Sequence, residues 1–165
     1  MANSLFALIH RIQQNHALEH ATMHLLTRDH AGLRLVGRSD WRGFVLYGKV
    51  DTQAVLSALQ EGLHRLKNDQ GELAVHPRCG TNLTTGALVT GSAAYLAATL
   101  GHPSRGRRLI RTAVVTAIAI ALARPLGLAV QRHLTTTADL DGLYVRAVYC
   151  DTQRGYAIHR IVTAS

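Results

Sequence analysis

At 165 residues the chain is long enough for one domain of ordinary size with its own core. Its two cysteines, Cys79 and Cys150, are too few for a disulfide scaffold and read as reduced thiols. The formal charge of +8 is unevenly spread: residues 81–130 hold five arginines and no acid, whereas residues 1–80 hold nine basic and seven acidic residues and residues 131–165 hold four and three. That distribution, with eight aromatics none of which interleave the basic run, excludes an extended nucleic-acid footprint and base-stacking platforms.

The apolar run Leu5 to Ile12 is interrupted by His10 and Arg11 and has no small-residue cleavage site after it, so it is not expected to be a secretory signal. Residues 3–28 lack Gly and Pro and predict a helix, with Asn3 or Ser4 as cap and Asp29 to Gly32 as its end. A step of ~100° per residue places Leu5, Ile9, Ile12, His16 and Met23 in one stripe, flanked by Glu19 and His20. That stripe is the expected core face, so these polar groups are expected among apolar neighbours.

Residues 33–37 and 43–50 read as two strands joined by a turn at Arg38 to Arg42. Residues 52–68 predict an amphipathic helix capped by Asp51, with Val55, Leu56, Leu59, Leu63 and Leu66 inward and Gly71 closing it. Residues 72–76 read as a short strand leading into the tight loop His76-Pro77-Arg78-Cys79-Gly80-Thr81-Asn82.

Composition then changes. Residues 83–101 carry no charge and are rich in the small residues that let membrane helices pack closely, and residues 109–130 are more apolar but interrupted by Arg111 and Arg124. Joined by HPSRGRR, they read as a helical hairpin, each arm approaching the ~20 residues of a bilayer span. In the tail, 143–149 and 156–163 read as strands around a turn at Cys150–Gly155, expected to join the N-terminal sheet. The expected fold is therefore α+β: a small antiparallel sheet with two amphipathic helices and an inserted hydrophobic hairpin. The whole chain, 1–165, counts as one domain, with 1–80 and 131–165 as a metal-binding unit and 81–130 as the hairpin.

The segment His16 to His24 reads HALEHATMH. His16 and His20, four apart on a helix, project from one face and can hold one ion together. Glu19, one residue before the second histidine, completes H-x-x-E-H, the inverted zincin order, in which a glutamate takes a proton from metal-bound water. His76 and Cys79, on either side of a Pro-containing turn, have spacing suited to the same tetrahedral ion, taken as zinc. His24 is a further ligand or supports one, and Arg78, Thr81 and Asn82 can orient ligands or polarise a carbonyl. Four protein ligands would make a closed structural site, and three would leave a position for water. A hydrogen-bonded His–Glu core cluster without metal is the plain alternative.

The chain resembles a family of uncharacterised bacterial proteins that pair H-A-L-E-H-A-T-x-H with a downstream H-P-x-C-G-T-N and then hydrophobic helices. The matching residues here are His16 to His24 and His76 to Asn82, and the resemblance is clearest over residues 10–100. It implies a membrane-associated protein. The His16–His24 segment also resembles the zinc helix of pitrilysin-type peptidases, whose third ligand is a glutamate far downstream in a larger domain. The only later glutamates here are Glu61 and Glu72, and His76 or Cys79 is the better third ligand.

Two functions follow as expectations: a membrane-associated zinc hydrolase, peptidase-like, with Glu19 as base, or a non-enzymatic subunit or assembly factor of a membrane complex with a structural metal site. Haem or pigment ligation is a third, lacking any C-x-x-C-H signal. The expected partners are the membrane and other membrane subunits, homo-oligomers included, and no nucleic acid. The soluble part is expected in the cytoplasm, as is the loop with Arg105, Arg107 and Arg108, which a re-entrant or protein-docked hairpin would reconcile.

Overall fold

A computed structural model describes the chain except Met1, Asp69, His102, Pro103 and Arg154, with Ala2 and Asn3 described by backbone alone. It is α+β, as the sequence predicts. The elements run α1 (Ala2–Asp29), β1 (Leu35–Asp40), β2 (Gly43–Gly48), α2 (Thr52–Lys67), a 3-10 turn (Gly71–Ala74), α3 (Gly80–Thr99), α4 (Arg105–Val130), a π turn (Gln131–Thr135), β3 (Tyr144–Gln153) and β4 (Tyr156–Ala164). They fall into two compact units, Met1–His76 with Arg132–Ser165, and Pro77–Gln131.

In the first unit the four strands form one antiparallel sheet in the order β1-β2-β4-β3, so the tail strand β4 pairs with β2. Phe44 stands opposite Ile161 and Leu46 opposite His159, and all four are fully buried. Alternation with period two turns this face inward. There α1 packs on β1, β2 and α2. The core gathers Leu18, Ala21 and Leu25 of α1, Val55, Leu59 and Leu66 of α2, and Leu140 and Leu143 before β3. Asp51 caps α2 as expected, its carboxylate accepting from the Gln53 and Ala54 amides at 2.8 and 3.1 Å.

Three expectations need correction. First, α1 does not bury the stripe through Leu5 and Ile9, which are 56% and 43% exposed. Among the described residues no layer covers its first turns, and burial begins at Gln14 and Asn15; further along, Ile12, His16 and Met23 of the stripe are half-buried, while Leu18, Ala21 and Leu25 on the opposite side of the helix enter the core. As α1 already starts at Ala2, Ser4 lies inside the helix, and the Asn3 side chain lies outside the described residues. Second, residues 72–76 are no strand. The segment is a 3-10 turn and a short extended run whose carbonyls are taken by α1 side chains: Ala74 O by His20 and Val75 O by His24. A backbone satisfied this way needs no sheet partner. Third, the hairpin turns are shorter than predicted, because β1 extends to Asp40 and β3 to Gln153. Of the predicted turn at Cys150–Gly155, Arg154 lies outside the described residues.

The second unit is a pair of helices, α3 and α4. Its connection is shorter than HPSRGRR, since α4 already begins at Arg105, and His102 and Pro103 lie outside the described residues. Small residues set the spacing: a Cβ on Gly127 would lie 2.6 Å from Asn82 Oδ1 and 3.0 Å from Asn82 Cα, so the end of α4 closes onto the start of α3 only because residue 127 is glycine. Among the described residues one helical stretch, Arg105–Thr135, is long and apolar enough to cross a membrane, whereas α3 is not among such stretches. Length and composition thus single out the second predicted arm alone. Arg124 and Pro125 are accommodated within α4.

Candidate metal centre

The polar residues of the first unit that the sequence singles out lie along one helix. His16, Glu19, His20 and His24 all belong to α1, and Glu19 and His20 are buried. His76, which follows the 3-10 turn, is also buried and faces two of them, its ring centroid 5.6 Å from His20 and 4.5 Å from His24. The His16 and His20 rings are 4.3 Å apart. Four imidazoles therefore form a continuous row.

Backbone carbonyls fix the tautomers in that row. A carbonyl oxygen only accepts, so each ring nitrogen facing one must carry its proton. Nδ1–H of His16 donates to Thr135 O at 2.9 Å, Nδ1–H of His20 to Ala74 O at 2.7 Å, and Nε2–H of His24 to Val75 O at 3.0 Å. In His20 the consequence is definite: Nε2 is left with its lone pair, is buried, and has no hydrogen-bond partner among the described residues. Burial, reinforced by the electrostatic influence of neighbouring His16, pushes the His20 pKa down to about 3, so the ring is neutral at ordinary pH. A neutral imidazole with one N–H committed to a carbonyl and the other nitrogen bare is the form in which histidine binds metal.

Glu19 turns toward β1. Its carboxylate accepts from the Ser39 hydroxyl and lies over Gly37, where any Cβ would run into it. Burial raises its pKa, opposed by the Ser39 hydrogen bond and by His16. Sequence reasoning did not find Ser39 or Gly37, because their role depends on the register of β1 beneath α1. It also missed the polar ties that hold this helix: Asn15 donates to Asp40 O at 2.8 Å and accepts from the Thr163 hydroxyl at 2.7 Å, and Gln14 donates to Asp139 O at 3.1 Å. Gln14 stands one turn before Leu18, on the α1 face that also carries Ala21 and Leu25 of the core, and the predicted stripe lies on the other side of the helix.

The remaining residues belong to the second unit. Cys79 is in no disulfide and caps α3, its Sγ accepting from the Thr81 amide at 3.4 Å. Asn82 donates to Pro77 O at 2.9 Å, and Arg78 is exposed. The donor types offered by His16, His20 and Cys79 are those that could hold a metal ion.

Residues 11–148 match the family described as Domain of unknown function (DUF6391). The chain belongs to that family. An uncharacterised protein from Picosynechococcus is similar to it, 36% identical over 139 residues that cover 79% of this chain and 68% of the relative. No solved structure matches. The DUF6391 match includes both histidine-bearing segments, 16–24 and 76–82.

Proposed function

We propose that this DUF6391 protein is a membrane-associated metal-binding protein in which His16, His20 and Cys79 hold one divalent ion, zinc in the first instance. The observation that carries the reading is the buried, partnerless Nε2 of His20, with its tautomer fixed by Ala74. An unsatisfied buried polar atom of this kind costs about 1–3 kcal/mol, and an ion on its lone pair removes that cost. Cys79 follows His76 by three residues, and two imidazoles with a thiolate are a donor set that suits zinc. Membrane association is supported by the stretch Arg105–Thr135.

Three protein donors leave a coordination position open, the arrangement of catalytic rather than structural zinc. When bound there, the ion supplies Lewis acidity for hydrolysis. The chain's own contribution is then Glu19 as proton acceptor, with Ser39 and Gly37 holding its carboxylate in place. The second reading, a non-enzymatic subunit or assembly factor with a structural site, is favoured by one observation. Burial of His76 beside His20 offers a third imidazole, a fourth protein donor that can close the site.

Elemental analysis of protein purified without chelator is expected to find about one equivalent of zinc, lost in His20→Ala. Absence of any transition metal in the unmodified protein refutes the reading. Glu19→Gln separates the two functions. If Glu19 is a base, metal stays and any hydrolysis drops by roughly 10²–10⁴-fold. If it only orients a histidine, metal affinity drops by about 10–100-fold.

A further inference from the structure

Two arginines interrupt the apolar helix α4, and their surroundings differ. Arg111 is satisfied within its own unit: its guanidinium donates to Ala97 O at 2.6 and 3.0 Å and to Leu100 O at 2.6 Å. These are carbonyls at the C-terminal end of α3, where a helix favours a cation. Arg124 is exposed and has no hydrogen bond or ion pair among the described residues. The segment 81–130 contains no acidic residue that could serve it.

The spacing makes this matter. From Arg111 to Arg124 the helix rises about 20 Å, less than the roughly 30 Å of a bilayer's hydrocarbon core. A helix that crosses at Arg105–Thr135 therefore brings at least one of these charges to or inside the edge of the hydrocarbon. A charge at that depth needs a partner or a headgroup. Arg111 has its carbonyls, and Arg124 requires an anion from elsewhere.

Beside Arg124 the second unit has an open cleft of about 490 Å³. Its charged lining residues are Arg78 and Arg124, and Leu83, Ile120 and Ala123 form its apolar wall. No carboxylate lines it. Two guanidinium forks match the geometry of a phosphate or carboxylate, and an apolar wall beside them suits the first carbons of an acyl chain.

We propose that this cleft binds the anionic headgroup of a membrane lipid, with Arg124 and Arg78 on the headgroup and the Leu83–Ile120 wall against the chain. Cys79 and Asn82 line the same cleft, so on the metal reading above the lipid is the substrate class of that site. Lipid binding itself does not rest on that reading.

The test uses the full chain in a neutral maltoside detergent. Binding of dioctanoyl phosphatidate, dioctanoyl phosphatidylcholine and inorganic phosphate is measured by calorimetry, with zinc content measured on the same samples. Phosphatidate is expected to bind at least about tenfold more tightly than either comparator, and Arg124→Gln to weaken it about tenfold, the loss of one charge-assisted contact. Arg108→Gln, in the first turn of α4, is expected to leave binding and zinc content unchanged. Equal binding of phosphatidylcholine, binding of inorganic phosphate as tight as that of the lipid, or an unaffected Arg124→Gln protein each overturns the proposal. Zinc-free protein that still selects phosphatidate through Arg124 upholds the cleft and refutes the metal centre. Zinc-loaded protein without that selectivity does the reverse.

Discussion

In the unit of Met1–His76 with Arg132–Ser165, the large apolar side chains Phe44, Leu46, Leu59 and Ile161 are fully buried, and polar groups such as Asn15 and Thr163 are buried with them as partners. In the unit Pro77–Gln131, Leu83, Leu109, Ile110 and Ile118 are each more than half exposed, and the buried residues of its helices are Ala97, Ala119 and Gly127. The first unit sorts its residues as a water-soluble domain does, with large apolar groups inside. The second inverts that order, with small residues at the helix contact and large ones outward, the arrangement of helices that pack in lipid. Two helices alone can bury only one stripe of each other, so most of the apolar surface of α4 lies outside its contact with α3.

Truncating one large side chain in each unit has the largest expected effect. Phe44→Ala is expected to cost about 3–5 kcal/mol in denaturant unfolding, through lost burial and the cavity left behind. Ile118→Ala, exposed on α4, is expected to stay within about 0.5 kcal/mol in detergent while weakening partition into vesicles. Equal losses of stability would show that the hairpin is packed like the core of the first unit.

A smaller effect tests the small-residue contact itself. Gly127→Val places carbon where Asn82 already stands and is expected to cost about 1–3 kcal/mol, read as a lowered melting temperature in detergent. At Gly86 the added Cβ would meet Ala123 Cβ at an ordinary 3.5 Å, so Gly86→Ala is expected to be tolerated. If the two variants behave alike, the close approach of α3 and α4 at Asn82 is not what holds the pair.

The smallest expected effect concerns the polar interior of the first unit. His159 is buried on β4 and hydrogen-bonded to the Thr52 hydroxyl at 3.1 Å, and desolvation lowers its pKa against a weaker opposing pull from Asp51. The folded state therefore keeps the ring neutral, while the unfolded chain takes up a proton below about pH 6.5. The stability it contributes is present above that pH and is lost as pH falls, with a slope of at most about 1.4 kcal/mol per pH unit. His159→Gln is expected to flatten the acid side of the stability profile by up to one proton. An unchanged slope would assign the acid sensitivity to other groups.

What was legible in the sequence follows the range of the interactions involved. Helix α1 and the Asp51 cap of α2 depend on neighbours a few residues away, and both were readable. The strand predicted at 72–76 failed because its carbonyls belong to His20 and His24, more than fifty residues earlier. The apolar stripe through Leu5 and Ile9 failed for a related reason: periodicity names a face but not whether another layer lies against it.

Donor types and their order are written in the chain itself: His16, Glu19 and His20 at helical spacing, His76 and Cys79 around a proline turn, and an acid-free apolar segment with Arg111 and Arg124 in it. What each group faces is set by tertiary packing. It gave His20 a bare, buried nitrogen, laid Glu19 over Gly37 under the Ser39 hydroxyl, and, among the described residues, provided carbonyls for Arg111 but none for Arg124. Local spacing fixes which side of a helix a side chain leaves from. Hydrogen-bond satisfaction and burial depend on elements distant in the chain, and those are set when the sheet and helices come together.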